Sequence, residues 1–338
     1  MESLRAVFLS GYSFIMWIDS RNKQKRWWIY GPVTTRHLTT SVILIQIQEE
    51  WQQHFFPMIA PCGETYFHRF AGRGSDGCLI IDVIVDISET SNLITTHLIF
   101  VLLTGVLSLP GFSRNQFPAW SKLCNWRGHH LPAERILVSD RCKPVSSGYS
   151  SRTLKHEQLT STIKDLYSKE ARVFWMHNTG PIGCLPVATI KVQNPELGYL
   201  DDHGCVKSQN HMAVRFNKKL KHSIIQLRAE LSEFTITYVD MYRAKYDLIR
   251  NAKEQGFENP FKICCGLHGI DFDVLCSKKA TINGSEVYAG SCAKPSAIIS
   301  WDGVHYSQAT NNLIASRIVN GSLSDPPMPI TQACRRKI

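Results

Sequence analysis

Apolar and polar positions alternate with a helical period through much of the second half of the chain. From Lys207 to Leu231, the residues Met212, Phe216, Leu220, Ile224, Leu227 and Leu231 recur every three or four positions, with Lys218, Lys219, Lys221 and Arg228 on the opposite face. That spacing gathers the apolar side chains into one stripe of a helix and leaves the charges in water. The same period runs from His156 to Lys169 through Leu159, Ile163, Leu166 and Tyr167. Tyr242 to Gln255 predicts another helix, stopped by Gly256, because glycine accepts the left-handed conformation that closes a helix. A last helix is predicted from an N-cap at Ser307 to just before Gly321. Between these lie two β-rich runs, Arg172 to Met176 and Phe234 to Val239. Strands alternating with helices predict an α/β fold with a parallel sheet covered on both faces.

The first half has weaker grammar. Ser41 to Gln48 predicts a strand. Leu79 to Ile87 is apolar and β-branched, and fits either a strand or a helix. The longest apolar run, Leu98 to Pro110, is broken by Thr104 and Ser108. It falls short of the roughly 20 residues a bilayer span requires, so it predicts a buried element and no stable membrane span. Arg114 to Ser151 mixes Pro, Gly, Cys, His and Trp without periodicity, no internal repeat is visible, and the grammar changes between Glu89 and His156.

Composition narrows the class. A chain of 338 residues with 43% hydrophobic content can bury one large α/β core or two small ones, which excludes a disordered protein. The net charge of +10 is spread along the chain. No zinc-finger spacing, RNP-like motif or long basic helix accompanies it, so a solvated basic face is expected and no nucleic-acid partner. Eleven cysteines point to an oxidising compartment. Cys184, Cys205, Cys264, Cys265, Cys276 and Cys292 crowd the distal half at spacings that fit no common zinc site, so disulfides are expected, with the pairing open. Adjacent Cys264 and Cys265 are expected to join separate bridges. Cys62, Cys78, Cys124, Cys142 and Cys334 leave an odd total, hence at least one thiol free or paired between chains. His129-His130 beside Cys124 and Cys142 lack an organised ligand set, and no metal or cofactor is expected. Sequons at Asn283 and Asn320 favour a secreted glycoprotein, although Met1 to Trp17 makes no clear signal peptide because Ser10 to Ser13 interrupts its apolar run.

The strongest chemical signal is Trp301-Asp302-Gly303-Val304-His305-Tyr306. A serine hydrolase needs an imidazole to take the hydroxyl proton and a carboxylate to orient that imidazole. Asp302 would orient and His305 would act as general base. Spacing alone favours the plainer reading, in which Asp302 caps a turn and His305 packs beside Tyr306. Asp201-Asp202 reads as a polar turn, and His177-Asn178 as part of a loop whose shape dictates its composition.

Longer segments change that balance. ARVFWMHNTGPIGCLP from Ala171, Asp202 to Asn217 with Gly204-Cys205, ICCGLHG from Ile263, GSCAKPSAIISWDGVHYSQATN from Gly290, Ser324 to Pro327, and GETYFHRFAGRGSDGCLIID from Gly63 closely resemble the plant GDSL esterase/lipase family of the SGNH hydrolases, in the family's order. The resemblance is to the branch with nodulin-, acetylesterase- and fucosidase-like members. It implies a three-layer α/β/α, flavodoxin-like parallel sheet with catalytic groups at the carboxyl ends of the strands. It also implies carboxylic ester hydrolysis by Ser–His–Asp acyl transfer, without a cofactor, on small-molecule, glycan or lipid esters outside the cell. Residue by residue it assigns catalysis to Asp302 and His305 alone.

The chain departs from that pattern upstream. The family's Gly-Asp-Ser nucleophile block should stand shortly before Gly63, where EEWQQHFFPMIAPC stands instead. Ile18-Asp19-Ser20 is a distant imitation, and Ser75 matches a position after the block, so the nucleophile is unassigned. The oxyanion glycine segment is absent after Asp82, and Asn115 and Asn125 have the wrong neighbours for the oxyanion asparagine. The expected layout is a divergent segment over 1–62, with an N-terminal part incomplete or irregular, and a hydrolase-like domain over 63–338 carrying an insert-like stretch at 91–155. The family's central first strand is expected to be absent or replaced by Ser41 to Gln48. A non-catalytic protein binding glycans or esters on the same scaffold is the alternative.

Overall fold

A computed structural model describes residues 13–16, 41–47, 60–69, 74–90, 97–103, 151–168 and 170–333. Six strands form its main sheet: β1 (Ser13–Met16), β2 (Ser41–Ile47), β3 (His97–Leu103), β4 (Val173–His177), β5 (Thr235–Val239) and a late strand, Ser324–Asp325, at the edge. The spatial order is β1-β3-β2-β4-β5 and then the late strand. The four central strands run parallel: β2 pairs with β3 from Ser41↔His97 to Ile47↔Leu103, and β4 pairs with β5 from Val173↔Thr235 to His177↔Val239. Both edges run antiparallel, β1 against β3 and Ser324–Asp325 against Tyr238–Val239. The sheet is therefore mixed, with the expected parallel pairing at its centre and antiparallel strands at its edges. The late strand is only two residues long. Arg228 then fixes it, donating to Asp325 O at 2.5 Å and to Ile236 O at 2.7 Å.

Ser41–Ile47 is a strand, and it lies inside the sheet between β3 and β4. The apolar run after His97 forms β3. The aperiodic stretch from Arg114 lies outside the described residues as far as position 150, as do Ser20, Asn115, Asn125, His129, His130, Cys124, Cys142 and Cys334.

Five longer helices flank the strands: α1 (Ile80–Thr90), α2 (Ser151–Ser168), α3 (Lys207–Glu230), α4 (Met241–Arg250) and α5 (Gln308–Val319). The ambiguous run after Leu79 is thus helical. Its first turn is held by Asp82, whose carboxylate accepts from Leu79 N at 3.0 Å. α3 buries Phe216, Leu220, Ile224 and Leu227, the stripe read from the sequence. Asp240 caps α4 by accepting from Arg243 N, and Ser307 caps α5 by accepting from Thr310 N. α4 ends earlier than its pattern suggested. Asn251 breaks it, a short 3-10 turn follows at Lys253–Gln255, and Gly256 closes that turn at φ 84°.

The core is continuous from sheet to helices. Val173, Trp175 and Val239 join Ile80, Ile81 and Ile84 of α1, Ala244 and Leu248 of α4, and Ile314, Ala315 and Ile318 of α5 in one buried cluster. Phe174, on the other face of β4, meets Phe234, which in turn meets Tyr167 of α2. Every residue of β4 is buried, as expected of a strand covered on both sides. No helix among the described residues is long and apolar enough to cross a membrane.

Candidate active site

The segment from Ser300 to Ser307 folds into a closed turn ahead of α5. Trp301 N donates to His305 O at 2.7 Å, and Ser307 N donates to Ile299 O at 2.9 Å. Ser300 Oγ braces the inside of the turn, accepting from Gly303 N at 2.9 Å and donating to His305 O at 3.2 Å. Gly303 has φ 93°, and a side chain there would bring Cβ to 2.8 Å from Val187 and 3.0 Å from Ile263. Glycine is required on both counts. Trp301 is fully buried, which anchors the turn from beneath.

This turn brings Asp302 and His305 together. Asp302 Oδ1 accepts from Val304 N at 3.1 Å and His305 N at 2.8 Å, while Oδ2 lies 2.5 Å from His305 Nδ1. One carboxylate therefore fixes both the backbone and the ring of His305. The imidazole is 1% exposed and the carboxylate 13%. Burial works to raise the Asp302 pKa, but the His305 ring and the two backbone N–H groups outweigh it and hold the carboxyl below its ordinary range. A carboxylate that stays ionised beside Nδ1 keeps that nitrogen protonated and Nε2 basic, the arrangement a general base requires. The plainer reading from spacing also holds in part: Asp302 caps its turn and orients the ring at once.

The loop after β4 supports the same region. Asn178 Nδ2 donates to Tyr238 Oη at 2.7 Å and Asp240 at 3.0 Å, and its Oδ1 accepts from Tyr242 N at 2.9 Å. Thr179 N donates to Asn217 Oδ1 at 3.0 Å while Asn217 Nδ2 returns a bond to Thr179 O at 2.8 Å. Gly183 N donates to Asn210 Oδ1, and Cys184 is bridged to Cys205. Val187 N, in the helical turn Pro186–Thr189, donates to Gly303 O at 3.2 Å and so ties this loop to the Asp302 turn. His177 is fully buried, and burial with the nearby Lys245 lowers its pKa to about 3, so it stays neutral. The shape of the loop explains its composition, as its sequence suggested.

Other sequence candidates resolve as follows. Ser75 is buried, donating to Asp76 at 3.3 Å and accepting from Gly77 N at 3.3 Å. Asp76 in turn accepts from Gln308 N at 2.7 Å, which docks the Ser75 turn against the first turn of α5. That is a structural task. Asp201 is more than a polar turn, because it accepts from His203 N and Cys205 N and also from Tyr246 Oη at 3.0 Å. Cys264 pairs with Cys292 and Cys265 with Cys276, so the adjacent cysteines do join separate bridges.

The sequence did not place two further residues near the turn. Lys245 is 7% exposed, with Nζ 4.8 Å from the centre of the Tyr306 ring. Its place beside Ala244 and Leu248, four residues after buried Met241, was a signal in the helical period. Cys62 is a buried free thiol packed with Trp301 and the Cys264–Cys265 pair, and only the fold brings it there.

The family model for GDSL-like lipase/acylhydrolase matches residues 149–318, a span that contains the Asp302 turn. A GDSL esterase/lipase from Arabidopsis thaliana is 38% identical over 84% of this chain and 85% of its own length. A GDSL esterase/lipase from Medicago truncatula is 32% identical over 82% of this chain and 84% of its own, and an esterase from Hevea brasiliensis 33% identical over 83% and 84%.

Proposed function

Because the chain belongs to the GDSL-like lipase/acylhydrolase family, we propose that it is a carboxylic ester hydrolase in which Asp302 and His305 handle the proton. The observation that carries this is the 2.5 Å approach of the Asp302 carboxylate to His305 Nδ1 within a turn that also fixes the backbone of His305. In the proposed reaction, His305 Nε2 takes the proton of a hydroxyl nucleophile as that oxygen attacks the ester carbonyl. Asp302 stabilises the imidazolium. The same ring then returns the proton to the leaving alcohol, and water releases the acid from the acyl-enzyme. The substrates are small-molecule, glycan or lipid esters, and the setting is extracellular, in keeping with three disulfides among the described residues and with sequons whose asparagines, Asn283 and Asn320, are exposed.

The hydrolase-like unit in this reading runs over 63–338, with 91–155 as an insert-like stretch and 1–62 divergent. Contacts between the 60–82 region and the distal half support it. Ser291 Oγ donates to Glu64 at 3.1 Å, Ser277 Oγ donates to Ala60 O, and Asn311 Nδ2 donates to Cys78 O at 2.9 Å. A three-layer arrangement is supported by α1, α4 and α5 packing with the Val173 and Trp175 face while α2 meets the side of β4 that carries Phe174.

The missing Gly-Asp-Ser block before Gly63 favours a second reading, a non-catalytic protein that binds glycans or esters on this scaffold. A fluorophosphonate probe followed by peptide mapping separates the two. The hydrolase reading expects one labelled serine whose labelling disappears in His305→Ala. Absence of any label on folded wild-type protein, with retained ester or glycan binding, supports the binding protein.

A further inference from the structure

Five cysteines share one packed cluster behind the Asp302 turn. Cys62, Cys264 and Cys265 are buried in one cluster with Ile298 and Trp301, and the half-buried Cys276 and Cys292 pack against it. Four of them form the Cys264–Cys292 and Cys265–Cys276 bridges, and Cys62 is free. The segment carrying Cys62 is fastened to the partner half of each bridge. Ser277, next to Cys276, donates to Ala60 O, and Ser291, next to Cys292, donates to the Glu64 carboxylate. The free thiol thus shares one cluster with two disulfides, and the chain on either side of it is tied to both, which is the placement exchange requires.

The cluster is also the support of the candidate active site. Cys264 N and Cys265 N donate to Trp301 O at 3.0 and 2.5 Å, and Cys264 N also donates to Ser300 O at 3.1 Å. The backbone that precedes Asp302 therefore hangs on the two adjacent cysteines. We infer that Cys62 is an internal exchange partner for these bridges, and that its exchange state sets the position of the Asp302 turn.

The step is an isomerisation. The Cys62 thiolate attacks the buried sulfur of Cys264 or Cys265, a new bond to Cys62 forms, and the old bond to Cys292 or Cys276 breaks. The departing thiolate takes up a proton equivalent to the one Cys62 lost. One thiol and two disulfides stand on each side, so no oxidant or reductant is needed. The leaving sulfurs are the half-buried ones, where water stabilises the departing charge. Burial, the largest cause, pushes the Cys62 thiol up to about 11 against a hydrogen bond with Trp301, and the negative charges of Asp302 and Glu64 add to the rise. The native pairing is thereby kept slow to exchange near neutrality, and exchange accelerates with alkalinity as the thiolate fraction grows.

The test is disulfide mapping of the whole chain, trapped with acid after incubation at pH 8 and at pH 10 without added thiol. Expected are peptides joining Cys62 to Cys264 or Cys265, with Cys292 or Cys276 newly open to alkylation, appearing roughly a hundredfold faster at pH 10. Cys62→Ser should hold the native map under both conditions. A wild-type map unchanged after hours at pH 10, with Cys62 still the alkylatable thiol of this cluster, overturns the inference whether or not the variant folds. The same holds if bridges scramble equally fast in Cys62→Ser. Sulfur connectivity is read directly, so the result is independent of whether the chain hydrolyses an ester.

Discussion

Replacing Asp302 by Asn removes a charge and little else. The asparagine Oδ1 can still accept from Val304 N and His305 N, so the turn keeps its backbone bonds. What disappears is the carboxylate oxygen 2.5 Å from His305 Nδ1. A hydrogen bond to a charged group contributes about 1.5–3 kcal/mol, and breaking a fully buried pair costs about 3–5 kcal/mol. With the carboxylate 13% exposed and the ring 1%, the loss should fall at about 2–3 kcal/mol. The pH dependence has a definite sign. The folded carboxyl titrates below its unfolded value, so its contribution is complete above about pH 5 and declines as pH falls through the depressed folded value. Urea unfolding of both proteins at pH 7 and near pH 3.5 reads this directly. Wild type should exceed the variant at pH 7, and the gap should narrow in acid. A gap below about 0.5 kcal/mol at pH 7, or one that does not change with pH, refutes the reasoning.

Gly303→Ala combines a positive-φ strain of about 1–2 kcal/mol with crowding against Val187 and Ile263 worth about 1–3 kcal/mol, and thermal unfolding should show a drop of several degrees; an unchanged midpoint contradicts the turn geometry. Asn217→Ala removes both bonds to Thr179 and should destabilise by about 2–4 kcal/mol in urea, whereas Asn217→Asp should restore only the half in which Thr179 N donates. Cys205→Ser opens the Cys184–Cys205 bridge, whose 21-residue separation predicts a loss of about 3 kcal/mol, checked by chemical unfolding of the variant against the oxidised wild type. Secretion from a glycosylating host should add N-glycans at Asn283, at the tip of the hairpin between strands Lys279–Ile282 and Ser285–Tyr288; a band that does not shift on deglycosylation argues against that setting.

Elements with a long period were legible in the sequence. The α3 stripe and the Ser307 cap both depend on local spacing, which the chain states outright. The sheet was not legible to the same degree. Whether an apolar run such as Leu79 to Ile87 becomes a strand or a helix depends on which partner covers it, and here a core shared with α5 gives α1. The antiparallel edges are likewise products of tertiary return, since two residues at Ser324 and Asp325 carry no direction of their own. At the candidate site, the three-residue spacing of Asp302 and His305 left a simple turn cap as the plainer reading, and only the longer segments resembling a known family pointed to the pair. Lys245 left a faint trace in the period of α4. Cys62 could be counted as a candidate free thiol but not placed, because at least 202 positions of chain separate it from Cys264 and Cys265.

The central claim is that Asp302 and His305 serve as the proton-handling couple of an ester hydrolase. The most direct measurement is steady-state hydrolysis of p-nitrophenyl acetate by purified wild type and His305→Ala, both shown to be folded by circular dichroism. The account predicts wild-type turnover above the buffer rate and a loss on the order of 10³-fold or more in the variant. Equal rates for the two proteins, or a folded wild type no faster than buffer, would contradict it.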